Sequence, residues 1–139
     1  MSTRRATPRP PVAAPPIDQR GLEAAVRLFA SRFVVADKQA QIAQRLSTAA
    51  RRRETLAGLT RWLAGSPTPL VGVEQSPAGL EARVGAMTGV YLDADGARRL
   101  PIGDALERGR GQAALFIGDT GRLALLMSPA GAPLLSIRL

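Results

Sequence analysis

The period of the apolar positions changes near the middle of the chain. Leu22, Ala25, Val26, Phe29 and Phe33 recur every three or four residues, the spacing that lines one face of an α-helix. Asp18 stands where an N-cap belongs, and Ile17 and Leu22 flank it as the two ends of a hydrophobic staple. This predicts a core-facing helix to about Arg32. Phe33-Val34-Val35-Ala36 breaks the spacing, and Asp37 is the next candidate cap. Lys38–Leu46 then repeats the pattern through Ile42, Ala43 and Leu46. Ser47 or Thr48 either caps a third helix or interrupts the second. Leu56, Leu59 and Leu63 form the next stripe, with Trp62 beside it, until Gly65, Pro67 and Pro69 end helical structure.

After Pro69 the apolar runs shorten and cluster. Leu70-Val71-Gly72-Val73 reads as a strand, Pro77–Ala86 as a short helix begun by Ser76-Pro77, and Gly89–Leu92 as a second strand. The two strands would be parallel if adjacent. Asp93-Ala94-Asp95-Gly96 is a turn. Gly103–Arg108 is a helix of one to two turns, with Gly109 expected to end it in the left-handed region.

The last stretch, Ala113–Leu139, holds two turn signals, Gly118-Asp119-Thr120-Gly121 and Ser128-Pro129-Ala130-Gly131. Glycine in the fourth place suits a type I turn followed by a left-handed residue. Counting outward pairs Leu115 with Leu125 and Leu125 with Leu135; Ile117 falls opposite Leu123, and Leu123 opposite Ile137. One face of this meander is then aliphatic and needs a cover. The other carries Phe116, Leu126 and Leu134 among Arg122, Ser136 and Arg138. Three modest helices leave one face short of cover, so Phe116, Leu126 and Leu134 are the candidate protein-interface residues.

The fold expected is α+β: about three N-terminal helices packed on a mixed, mostly antiparallel sheet that ends in a three-stranded meander. Residues 1–17 read as a disordered, basic, Pro-rich tail. Residues 18–139 read as a single domain, helical over 18–65 and sheet-forming over 70–139. At 139 residues the chain suits one such domain.

Charge sharpens this division. The net charge is +8. Residues 1–20 contribute +3 and residues 21–65 contribute +5, whereas residues 66–139 hold seven basic and seven acidic side chains. Arginine in place of lysine fits a GC-rich genome, but such a bias does not explain the asymmetry, which hints at an anionic partner. Arg4, Arg5 and Arg9 in the tail are candidate phosphate contacts. So are Arg45, Arg53 and Arg61, eight residues apart and read as one ridge if a single helix carries them. Trp62 is the candidate stacking partner for a base. The competing reading is a solvated charged face, paired internally through Glu54 or Asp37.

Candidate chemistry is thin. The chain has no Cys and no His, which removes disulfides, thiolate metal sites and the usual general base. An EF-hand counted from Asp93 fails, because Arg98 holds the sixth position and Asp104 the twelfth. Gly109-Arg110-Gly111 runs from helix into strand, the wrong way for a phosphate loop. Asp93, Asp95, Asp104, Glu107 and Asp119 are the carboxylates left for hydrolytic chemistry, and each falls at a turn or helix start, where Asp and Glu serve the backbone. No catalytic, cofactor-binding or metal-ligating residue is therefore expected. No apolar run approaches a membrane span, and the chain reads as cytoplasmic.

Two blocks carry a resemblance. One is Arg32-Phe33-Val34-Val35-Ala36-Asp37-Lys38, followed by Leu46-Ser47 and the Arg51–Arg53 run; the other is Gly109-Arg110-Gly111-Gln112-Ala113 through Gly121-Arg122-Leu123-Ala124. With Val90-Tyr91-Leu92, Asp95-Gly96 and Asp104-Ala105-Leu106 between them, the chain resembles a family of small uncharacterised bacterial proteins over roughly residues 20–127. Thr120 departs from the pattern, where Pro is expected. The resemblance implies a helical part followed by a mixed α/β part, and no activity. Together these observations lead to the expectation of a non-catalytic interaction or scaffold subunit with a basic helical face, working with a protein partner or as a homo-oligomer. A sequence-nonspecific nucleic-acid-binding module is the alternative, and a carboxylate-based hydrolase a remote one.

Overall fold

The computed structural model describes residues 17–63, 68–71, 77–129 and 134–137. The first helix, α1, spans Gln19–Phe33 and turns Leu22, Val26, Phe29, Ala30 and Phe33 inward. Asp18 caps it as expected, with Oδ1 accepting the Gly21 amide at 2.8 Å. That bond satisfies one of the four orphan donors at a helix start, so Asp18→Ala should cost about 1 kcal/mol in urea denaturation. Phe29 and Phe33 stack with ring centroids 5.5 Å apart, a spacing set by one helical turn.

A 3-10 turn at Ala36–Lys38 leads into α2, Gln39–Ser47. Asp37 lies within that turn and caps nothing; the residue before α2 is Lys38, without a side-chain cap. Thr48 separates α2 from α3, Ala49–Ala57, but its Oγ1 donates back to the Gln44 carbonyl at 2.8 Å and so closes α2. Gly58 ends α3, and a second 3-10 turn follows at Leu59–Trp62. The expected third helix is thus a short helix and a separate turn. The helical layer closes on itself where the Val35 amide donates to the Trp62 carbonyl at 2.9 Å.

Six strands follow: β1 Thr68–Val71, β2 Thr88–Asp93, β3 Gly96–Pro101, β4 Ala114–Gly118, β5 Leu123–Met127 and β6 Leu134–Ile137. Two short helices accompany them, α4 at Pro77–Val84 and α5 at Ile102–Arg108. The sheet order is β1-β6-β5-β4-β2-β3 and its ladders are antiparallel. The architecture is α+β, with the N-terminal helices preceding a sheet that contains the β4-β5-β6 meander. β1 and β2 are not neighbours, so no parallel crossover forms; β1 pairs with β6 instead.

The meander's two hairpins differ in how they match the count. β5 and β6 pair as expected, Leu125 opposite Leu135 and Leu123 opposite Ile137. β4 and β5 are shifted by one: Leu115 faces Leu126, Phe116 faces Leu125 and Ile117 faces Ala124. The turn explains the shift. The Gly121 amide donates to the Gly118 carbonyl at 2.9 Å, and Gly121 takes φ +73° with Leu28 of α1 packed against it. Arg122 is then drawn into the connection, its amide reaching Thr120 Oγ1 at 3.3 Å. β5 begins one residue later than a bulged turn would allow.

A one-residue slip exchanges the faces of a strand. Leu115, Ile117, Ala124 and Leu126 therefore look toward α1–α3 and join Val26, Phe29, Phe33 and Ile42. Phe116, Leu123, Leu125 and Met127 look the other way and meet Leu80 of α4 and Ile102, Ala105 and Leu106 of α5. Over β2, β4 and β5 both faces of the sheet are covered by the chain's own helices. Gly109, expected in the left-handed region, sits at φ −85°; Gly111 takes that role at φ +80°.

Candidate interaction surface

The double covering of the sheet removes one proposed surface. Phe116 is 0% exposed, beneath α4 and α5, and Leu126 is 7% exposed, beneath the N-terminal helices. They lie on opposite faces, because the β4–β5 shift put them there. Leu134 pairs with Leu126 in the ladder, and its side chain lies outside the described residues. Phe116 and Leu126 are core residues, not interface residues.

The arginines are redistributed too. Arg4, Arg5 and Arg9 lie outside the described residues. Arg45 is half-buried on α2, Arg53 is exposed on α3 and Arg61 is exposed in the 3-10 turn. The breaks at Thr48 and Gly58 place them on three separate elements, so they form no single ridge. Arg61 folds back over Gly58, its Nη2 3.1 Å from where a Cβ would stand. Trp62 is half-buried against the core, and Lys38 Nζ lies 5.4 Å from its ring centroid, so one face of the ring is already occupied.

Arg52 is the residue the sequence reading passed over. It is 5% exposed, and its Nε donates to the Leu46 carbonyl at 2.7 Å, satisfying an end group of α2. Burial lowers its pKa, and the nearby Asp93 carboxylate partly restores it. The signal was present: Arg52 stands three and four residues before the buried Thr55 and Leu56, on the inward face of α3.

The Asp-x-Asp-Gly string is a structural turn. Asp93 is 5% exposed; its Oδ2 accepts the Tyr91 hydroxyl at 2.6 Å and its Oδ1 the Asp95 amide at 2.9 Å. Gln112 Nε2 donates to the same hydroxyl at 3.4 Å. Asp119 is held by Arg99 at 2.6 Å and Glu107 by Arg110 at 2.8 Å. Three of the five candidate carboxylates are thus engaged in local structure. Among the described residues no three His, Cys, Asp or Glu side chains are grouped to hold a metal. No described helix is long and apolar enough to cross a membrane.

Burial first, and the hydrogen bond to Asp93 second, hold the Tyr91 phenol well above the ordinary tyrosine value of 10.0. The unfolded chain therefore ionises before the folded one. Tyr91's contribution to stability is complete below pH 10 and declines as pH rises beyond it. The melting temperature should fall above pH 10 and fall less steeply in Tyr91→Phe, measured by scanning calorimetry across the alkaline range.

α1 and α2 enclose a groove of about 520 Å³. Val26, Ala30 and Ala43 are buried and form its floor; Glu23, Arg27 and Ser31 rise on the α1 side, and Ala40, Gln44 and Ser47 on the α2 side. Gln19 fixes one end, its Nε2 donating to the Ser47 carbonyl at 2.9 Å and to Glu23 Oε2 at 3.1 Å. Residues 17–63 hold nine basic and four acidic side chains. Both ion pairs between described residues lie in the sheet half. Arg20, Arg27, Arg32, Arg51 and Arg53 are exposed, and their guanidiniums make no ion pair or hydrogen bond with a described residue. Compared with the known protein families, the curated proteins and the solved structures, the chain matches none of them.

Proposed function

We propose that the protein is a non-catalytic interaction module whose contact surface is the outer face of its helical layer. One observation carries this reading: a groove opens between α1 and α2, beside arginines that have no partner within the described chain, while the sheet is covered on both faces over β2, β4 and β5. A chain without His or Cys, with three of its five candidate carboxylates tied to neighbours, fits a binding role better than a catalytic one.

Arg20 and Arg27 are exposed and stand two turns apart on α1, on nearly the same azimuth. Reversing both charges leaves every described core contact intact and should remove binding. Tagged wild type and Arg20→Glu/Arg27→Glu, purified from cells with and without nuclease treatment, give the test. The expected result is a protein partner that survives nuclease and is lost from the variant. Equal recovery by the two forms contradicts the reading.

A phosphate backbone is the second reading, favoured by the excess of five positive charges over residues 17–63. It predicts nuclease-sensitive recovery and a steep loss of oligonucleotide binding with salt. The broken arginine line and the occupied Trp62 ring count against it.

A further inference from the structure

We infer that the α1–α2 groove receives an acidic α-helix from another protein, with small side chains on its buried face and carboxylates seven residues apart. The inference rests on the interaction reading above and names the partner's chemistry.

The dimensions suit a helix. Glu23 to Ser31 on α1 covers about 12 Å, or two turns, at 1.5 Å per residue. The floor is made of Val26, Ala30 and Ala43, with Ala40 on the rim. Side chains this small let a third helix approach toward the short end of the 8–10 Å range of packed helices. A helix laid in a groove between two others is an established way for one protein to hold another.

The unpaired groups are donors. The guanidiniums of Arg20 and Arg27 and the side-chain amide of Gln44 make no hydrogen bond with a described residue. The one acid on the walls, Glu23, already accepts from Gln19. Ser31 and Ser47 spend their hydroxyl protons on the Leu28 and Gln44 carbonyls. An incoming surface therefore meets positive charge and amide hydrogens, which call for carboxylates. Arg20 and Arg27 stand about 10.5 Å apart along α1. Glutamates seven residues apart on a partner helix repeat that distance.

Charge also decides between occupants. Residues 1–17 of this chain carry three arginines and no acid, so the tail is mismatched to the rim. A second copy would bring the same arginines against these across a two-fold axis, on a chain of net charge +8. A nucleic acid would find phosphate contacts but no aromatic side chain in the groove to receive a base.

The test uses the full chain and a fluorescent synthetic helix, alanine-rich, with glutamates at seven-residue spacing on one face. Fluorescence anisotropy compares it with the same peptide carrying lysines, the same peptide with a central proline, and oligo-dT. The glutamate peptide should bind. Affinity should drop on the order of tenfold with Arg27→Glu, and Ala40→Trp, which fills the groove mouth, should abolish it. Arg27→Glu should gain affinity for the lysine peptide. Binding that ignores both substitutions overturns the inference, as do preference for oligo-dT, undiminished binding of the proline peptide, and failure of the glutamate peptide to bind. So does a dimer in light scattering that Ala40→Trp dissociates. A nuclease-resistant partner lost from Arg20→Glu/Arg27→Glu, with no glutamate-peptide binding, overturns only the partner's chemistry and leaves the interaction reading standing.

Discussion

Phe116→Ala should lower the unfolding free energy by about 3–5 kcal/mol. The ring is completely buried, lies between Tyr91 and Leu125 in the ladders, and belongs to the cluster roofed by α4 and α5. Truncation loses the transfer free energy of the ring and leaves a cavity that a pleated sheet collapses poorly. Domains of this size are stable by only about 5–15 kcal/mol, so the variant should unfold at much lower urea. The result also separates two roles for the same residue. A side chain serving only an interface between molecules would leave the isolated chain's stability unchanged, and Phe116→Ala would then match wild type in a dilute denaturation series.

Gly89→Ala should cost about 3 kcal/mol, near the top of the range for overpacking. Gly89 lies in β2 opposite Gly118 of β4. A Cβ there would overlap the Ile117 carbonyl oxygen and stand 2.7 Å from Phe116 Cζ. The carbonyl is backbone and cannot yield without loosening the β2–β4 ladder. The Phe116 ring can be cut away. Combining Gly89→Ala with Phe116→Ala should therefore be less destabilising than the sum of the two, with part of the Gly89 penalty persisting against the carbonyl. Equilibrium urea denaturation of the four proteins closes that cycle; full additivity would contradict the shared contact.

The elements were largely legible because their signals are local. Asp18, the helical spacing from Leu22 to Phe33, the helix start at Pro77 and the Asp93-Ala94-Asp95-Gly96 turn each act within a few residues. What was lost depended on single residues with two local options. Arg122 could begin a strand or finish a turn; it finished the turn, and that one choice moved Leu126 to the face opposite Phe116. Gly58 could sit inside a helix or end it, and by ending α3 it separated Arg61 from Arg53, as the break at Thr48 had separated Arg53 from Arg45. α4 and α5 were read as helices, but their packing over the second sheet face is a tertiary fact that no pattern of seven or eight residues contains. Arg52 was legible in principle from its spacing to Thr55 and Leu56, and its charge drew attention away from that spacing. The α1–α2 groove was not legible, since its walls mix glutamate and arginine with alanine, serine and glutamine, a set that carries no pattern of its own.

The account turns on which side of the molecule meets other molecules. A photo-cross-linking amino acid placed at exposed Ala40, on the groove rim, or at exposed Ala94, in the β2–β3 turn, reads this in living cells. Cross-links to a protein from position 40 and none from position 94 are the predicted result. Cross-links from position 94 alone, or from neither position, would contradict it.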